Sequence, residues 1–195
     1  MRVLVACEFS GVVRRAFRER GHDAWSCDLL PAEDESPFHI RADVTPIVTD
    51  NALGWDLLIA HPPCTHLAVS GARWFKEKKQ LQAEALDFVS LLMLAPINKI
   101  CIENPISIIS SQIRKPDQIV HPWMFGEPFT KSTCLWLKNL PPLVPTNIVD
   151  KGERHITKSG KSLPAWYNLP PSPNRWKERS KTFKGIADAM AQQWG

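Results

Sequence analysis

Residues 55–64 read WDLLIAHPPC, from Trp55 to Cys64. The run from Trp55 to Ala60 is apolar except for Asp56, with no alternating polar face to offer to water. Such a run reads as a strand of a parallel sheet, buried on both sides. His61, Pro62 and Pro63 stop it abruptly and place Cys64 just beyond its carboxyl end.

The same logic works outward from this strand. Val3 to Ala6 is a short buried run that gives way to Cys7-Glu8-Phe9-Ser10-Gly11. Val12, Val13, Ala16 and Phe17 then recur at helical spacing, and Gly21 closes that helix. Asp23 to Cys27 reads as a second strand ending at Asp28, and His39 to Arg41 as a third ending near Asp43. Beyond Cys64, Lys78 to Ala95 is helical, with Leu81, Ala85, Phe88, Val89 and Leu92 on one face. Lys99 to Ile102 is another strand, ending at Glu103-Asn104-Pro105. Strands alternating with helix-length segments predict an α/β fold, a mostly parallel sheet with helices on both faces.

Past Ser110 the pattern weakens. Thr133 to Leu137 is one more candidate strand, and Ile186 to Trp194 a closing helix. Between them, residues 141–179 are rich in Pro and Trp (PPLVP, LPAW, NLPPSP).

Composition narrows the class. The chain has 195 residues, 44% hydrophobic and 23% charged, enough for a single globular domain with a core of its own. Proline stands out at 17 residues, about 9% where about 5% is usual. The five cysteines show no C-x-x-C spacing, which disfavours a zinc site or a disulfide framework and suggests reduced, intracellular thiols. The apolar stretch at the N-terminus is too short for a signal peptide or a membrane span. Charge is uneven: Lys151 to Lys184 holds nine Lys/Arg against Glu153 and Glu178. That local +7 leaves −3 for the rest of a chain whose net charge is +4. The segment suits a phosphate-bearing partner, or is simply a solvated surface loop.

In parallel α/β sheets, ligands sit beyond the carboxyl ends of the strands. Five successive strand ends here carry Ser10-Gly11, Asp28, Asp43, His61-Pro62-Pro63-Cys64 and Glu103-Asn104. The two prolines stiffen the backbone that presents Cys64, as a nucleophile requires. Cys7, Cys27, Cys101 and Cys134 lie in or beside strands and read as small core residues. Glu103 ends a strand that could bring it to Cys64 across the top of the sheet. A thiol adding to a heteroaromatic ring, with a protonated glutamate donating to a ring nitrogen, would use this pair, and burial would keep the acid protonated. The alternative is an acid capping the helix that follows. Asp28 and Asp43 suit the ribose hydroxyls and exocyclic amine of a nucleoside cofactor, and Gly11 allows close backbone approach. Neither G-x-G-x-x-G nor a P-loop is present. His61 and His66 flank Cys64 without a familiar zinc spacing, so no metal is expected.

At these residues the chain resembles the DNA cytosine carbon-5 methyltransferases, as a short phage- or prophage-type member. DLLIAHPPCTHLAVSG (Asp56 to Gly71) resembles the family's Pro-Cys nucleophile loop, and CIENP (Cys101 to Pro105) its Glu-Asn motif. EFSG (Glu8 to Gly11) is similar to its cofactor loop, and RSKTFKGIADAMAQQW (Arg179 to Trp194) to its closing motif. The likeness implies a Rossmann-like methyltransferase fold in a single catalytic domain, residues 1–195, using S-adenosylmethionine. It implies that Cys64 attacks carbon 6 of cytosine, that Glu103 engages ring nitrogen 3, and that Lys131, with Arg73 second, stands for the family's supporting arginine. Phe9, Ser10, Gly11, Asp28, Leu29, Asp43 and Pro63 would line the cofactor. Residues 141–179 would replace a full target-recognition domain, with Arg73, Arg154, Lys158, Trp166, Arg175 and Trp176 on nucleic acid. The expected partner is double-stranded DNA with the target base flipped out, in the cytoplasm of a bacterial host. Methylation of a free pyrimidine nucleotide, or a non-catalytic nucleic-acid-binding module, are the other readings. The chain departs from the family's pattern at His61, where glycine is common, at Pro105, where valine is, and in a cofactor loop with less glycine.

Overall fold

The computed structural model describes residues 1–168, 170–173 and 175–195, without the side chains of residues 73, 74 and 76. In chain order, β1 (Arg2–Ala6) leads through a tight loop into α1 (Val12–Arg18). β2 (Asp23–Asp28), β3 (His39–Arg41), α2 (Thr45–Thr49) and β4 (Leu57–Ala60) follow. A 3₁₀ segment, Val69–Glu77, precedes α3 (Lys79–Met93) and β5 (Lys99–Pro105). Next come α4 (Ile109–Gln112), β6 (Gln118–Val120) and β7 (Thr133–Lys138). A separate hairpin pairs β8 (Arg154–Ile156) with β9 (Ser162–Pro164), and α5 (Arg175–Ser180) and α6 (Lys184–Trp194) close the chain.

The main sheet has the order β3-β2-β1-β4-β5-β7-β6. β7 runs antiparallel to both of its neighbours, and the other pairings are parallel. This is the Rossmann-like, mostly parallel sheet expected from the sequence, with the chain reversing direction across the sheet between β1 and β4. The central strands, β1 from Val3 to Ala6 and β4 throughout, are apolar and buried because both of their faces are covered. Val3, Val5, Leu57, Ile59 and Cys101 pack with Val13 and Phe17 of α1 and Ile186, Met190 and Trp194 of α6. Leu4, Ala6, Leu58, Ala60, Ile100 and Ile102 face the other way, onto Val48 of α2 and Val89 and Leu92 of α3. None of the described helices is long and apolar enough to cross a membrane.

The loop after β1 depends on an ionic cluster that the sequence does not reveal. Arg14 is 1% exposed, yet it pairs with Asp34 twenty residues away and donates to Ser26 Oγ at 3.2 Å. Arg15 joins Asp34 at 2.7 Å. Burial pushes the Asp34 carboxyl up, but the hydrogen bonds and charges of Arg14 and Arg15 outweigh it and hold it below 3.8. The Asp34→Asn variant leaves Arg14 buried without its counter-ion and should cost about 2 kcal/mol near neutral pH. A depressed native carboxyl stabilises the fold fully above its unfolded value and loses that contribution as the pH falls through its native value. The gap between the melting temperatures of wild type and Asp34→Asn should therefore be constant above about pH 5 and close below 3.8. A pH-independent gap would contradict this pairing.

Candidate active site

The register of β4 and β5 builds the site. Leu57 to Ala60 lie beside Lys99 to Ile102, so His61 and Glu103, each one residue further on, emerge side by side at the carboxyl edge. Their side chains meet: His61 Nδ1 is 2.9 Å from Glu103 Oε2. Both are nearly buried, with side chains 8% and 11% exposed. Asn104, the next residue of β5, is buried and donates from Nδ2 to the Pro62 carbonyl at 2.8 Å. β5 thus holds the first two residues of the turn that presents Cys64.

Cys64 itself is exposed. Its carbonyl accepts from the N–H groups of Leu67 and Ala68 at 3.0 and 2.9 Å, and a bridge from Ala68 to Ser107 laces this loop to the one after β5. Desolvation by the surrounding protein and the nearby Glu103 carboxylate push the thiol up, and the positive charges of Lys131 and Arg179 oppose that rise. Two of the expected residues, Cys64 and Glu103, therefore lie close enough to feel one another's charge, as does Lys131. Lys131 donates to the Arg179 carbonyl at 3.3 Å and lies 5.6 Å from the centre of the Phe183 ring. Arg179 is an addition that the sequence reading did not single out.

One expectation is overturned. Burial does push Glu103 up, but the hydrogen bond from His61, with the charges of His61 and Lys131, outweighs it. Glu103 is held below its ordinary 4.5, ionised, and is not a resting proton donor. Nor does it cap a helix, because it lies inside β5.

The neighbouring strand ends carry the residues expected at a cofactor. Asp28 Oδ1 accepts from Leu30 N–H at 2.9 Å, and Leu29 beside it is 71% exposed. Asp43 is exposed, and its Oδ1 accepts from Thr45 N–H at 2.9 Å; that contact and the Thr45 side chain hold its carboxyl low. Asp28 keeps a second oxygen with no hydrogen-bond donor among the described residues. That oxygen fits a ligand carrying hydroxyl groups, such as the ribose of a nucleoside. Phe9 and Ser10 are largely buried, and Pro63 is exposed beside Cys64. Gly11 has φ +67°, and a Cβ on it would meet the Arg14 guanidinium at 2.3 Å. Glycine is thus required there by the backbone and by Arg14, whatever approaches from outside.

Residues 141–179 show how the basic segment is disposed. Lys158 is exposed at the tip of the β8–β9 hairpin. Arg154 is occupied within the hairpin, donating to Ser162 Oγ and O at 2.7 and 2.8 Å. Trp166 is half-buried between Phe183 and Phe129, with ring centroids 4.9 and 5.7 Å away. Trp176 is 53% exposed and lies 6.0 Å from the Phe9 ring, and Arg175 is half-buried. Lys181 pairs with Glu33 at 3.0 Å, tying the end of this segment to the loop after β2. The side chain of Arg73 lies outside the described residues. Among the described residues, no group of three or more His, Cys, Asp or Glu is placed to hold a metal ion.

No family model matches the chain, and no curated protein matches it. A solved structure similar in part is described as a DNA modification methyltransferase encoded within an E. coli prophage. It shares 14% identity over 80% of this chain and 58% of its own, with a TM-score of 0.45.

Proposed function

We propose that the chain is an S-adenosylmethionine-dependent DNA cytosine-5 methyltransferase. The observation that carries this reading is the exposed Cys64 thiol on the turn after β4, within reach of the charge of the ionised Glu103 on β5, with the Lys131 charge acting on both. A peptide-cleaving thiol would need a histidine base in contact with it, whereas the His61 Nε2 left over from the Glu103 contact is buried and has no hydrogen-bond partner among the described residues, Cys64 included. A thiol with a carboxylate partner suits addition to an electron-poor ring.

Cys64 Sγ forms a bond to cytosine C6 as the C5–C6 π pair moves toward C5 and ring N3 takes up a proton at Glu103. Lys131 and Arg179 favour the thiolate that attacks. Asp28, Leu29 and Asp43, with the loop Phe9-Ser10-Gly11 and Pro63, would hold S-adenosylmethionine, which when bound supplies an electrophilic methyl group. The C5 proton then leaves to water, the N3 proton returns through Glu103 to the sulfur, and cleavage of the S–C6 bond regenerates the aromatic ring and frees Cys64. Because the faces of a paired cytosine are covered by the neighbouring bases of the stack, the base leaves the duplex for the thiol to reach C6. Lys158 at the hairpin tip and Trp176 beside Phe9 support contact with the DNA backbone and bases. The place of action is the cytoplasm of a bacterial host.

The test offers duplex DNA and dCMP separately, each with methyl-labelled S-adenosylmethionine. Label in DNA, mapped to cytosines by bisulfite sequencing, is the expected result. Label in dCMP alone would transfer the reading to a free pyrimidine nucleotide, and label in neither would overturn it.

A further inference from the structure

His61 stands where the resembled family commonly has glycine, so the family's chemistry does not account for it. Its placement is nonetheless fixed from two sides. The backbone N–H donates to the Ala6 carbonyl of β1 at 3.0 Å, extending the β1–β4 ladder by one residue. Nδ1 meets Glu103 Oε2 at 2.9 Å. Nε2 is buried and has no partner among the described residues. An ionised carboxylate only accepts, so the hydrogen in the contact sits on Nδ1.

We propose that His61 is a positioning residue for the chemistry at Cys64: by holding Oε2 of Glu103, it fixes the carboxylate so that Oε1 is left for the substrate ring. The naming of cytosine as that ring rests on the function proposed above; the pairing of His61 with Glu103 does not. Held in this way, Glu103 carries the proton that the reaction moves. The Cys64 S–H bond breaks as Oε1 takes the proton, the S–C6 bond forms, and the same proton passes from Oε1 to N3. Glu103 ends each addition ionised, as it began, and no outside acid is consumed. A proton donor at Nδ1 weakens the basicity of Glu103, which favours the second transfer, from Oε1 to N3.

The charged groups around the pair are few. Glu103 faces His61 and Lys131 and pushes up the Cys64 thiol. On the other side, near α1, lies Glu8, which is 4% exposed and accepts from Val13 N–H and Arg14 N–H at 2.6 and 3.2 Å. Burial pushes Glu8 up, against the charges of His61 and Arg14 and those two hydrogen bonds. Both Glu8 oxygens are thus taken up by the start of α1, and the hydrogen-bonded contact of the His61 ring is with Glu103.

The experiment follows the Glu103 carboxyl directly, by ¹³C NMR titration of glutamate-labelled protein, with the Glu103→Gln variant assigning the resonance. Wild type should titrate below the ordinary 4.5. His61→Leu should move the midpoint up by about one pH unit or more. His61→Asn, which keeps a short polar donor without the charge, should fall between them. An unchanged midpoint in His61→Leu, or in His61→Asn should the leucine variant fail to fold, overturns the proposal. The second readout is single-turnover methyl transfer against pH. Its acid limb should move up in the same order, with kcat falling about tenfold in His61→Leu at neutral pH and KM for DNA little changed. A loss confined to KM would also overturn it. The titration needs no substrate, so absence of methyl transfer in wild type counts against the proposed function alone.

Discussion

Cys64→Ala should reduce methyl transfer to cytosine by about 10⁴-fold or more, because it removes the atom that makes the covalent bond. The loss should be catalytic and not structural. Cys64 is exposed, and the hydrogen bonds that set its turn are made by its carbonyl, not by its sulfur. Its truncation leaves no cavity, so the melting temperature should stay within about 2 °C of wild type. Duplex DNA carrying 5-fluorocytosine gives the sharper measurement, since fluorine at C5 blocks the final elimination and leaves the adduct in place. Wild type should migrate on a denaturing gel with the oligonucleotide attached, and Cys64→Ala should not. The other four thiols do not confuse the result. Burial leads the rise of Cys7 to about 12 and of Cys27 and Cys134 to about 11, and Cys101 is buried and raised as well. A trapped complex that survives Cys64→Ala, or bisulfite-detected methylation at the wild-type rate, would dismiss Cys64 as the nucleophile.

The positions of Cys64 and Glu103 could be read from the sequence because each follows an uninterrupted apolar run. Leu57–Ala60 and Ile100–Ile102 show where their strands lie, and strand ends are where such a sheet places its chemistry. What the sequence hides is register. That His61 meets Glu103 follows from Ala60 lying beside Ile102, a long-range pairing that no local pattern encodes. The expectation of a protonated Glu103 failed for that reason: burial was foreseen, but not the partner that reverses its effect. A histidine at the end of a buried strand, three residues before a candidate nucleophile, was the available signal. The Arg14–Asp34 pair was hidden in the same way, reaching from α1 to the loop after β2. β6, β8 and β9 have three residues each, too few to show a period, and unlike β3, which is equally short, they lie past Ser110, outside the alternating strand and helix signals. β6 exists because β7 offers it an edge, and β8 and β9 because a turn with Gly160 at φ +76° folds them together.

Gly185→Ala should destabilise the protein by about 3 kcal/mol, contrary to helix propensity, which by itself favours alanine over glycine by about 1 kcal/mol. Gly185 lies in the first turn of α6, and a Cβ there would stand 1.9 Å from the Phe125 carbonyl oxygen and 2.9 Å from its carbon. Both atoms are backbone, so no side-chain rotation relieves the clash. The Gly185 N–H also donates to Glu127 Oε2 at 2.9 Å, which fixes the helix end against this segment. Moving α6 away would loosen Ile186, Met190 and Trp194, which close one face of the sheet with α1. For a chain of this length about 3 kcal/mol lowers the melting temperature by roughly 6–12 °C. Gln192→Ala, at an exposed position of the same helix, should leave it nearly unchanged. An unchanged melting temperature in Gly185→Ala would show that the helix end does not press on Phe125 as described. The displacement should also reach the site. Phe183 and Arg179, just before α6, contact Lys131, whose charge acts on both Cys64 and Glu103. In Gly185→Ala, methyl transfer should therefore fall even below the melting transition, at temperatures where Asp34→Asn, which perturbs a different loop, keeps the charge of Lys131 in place.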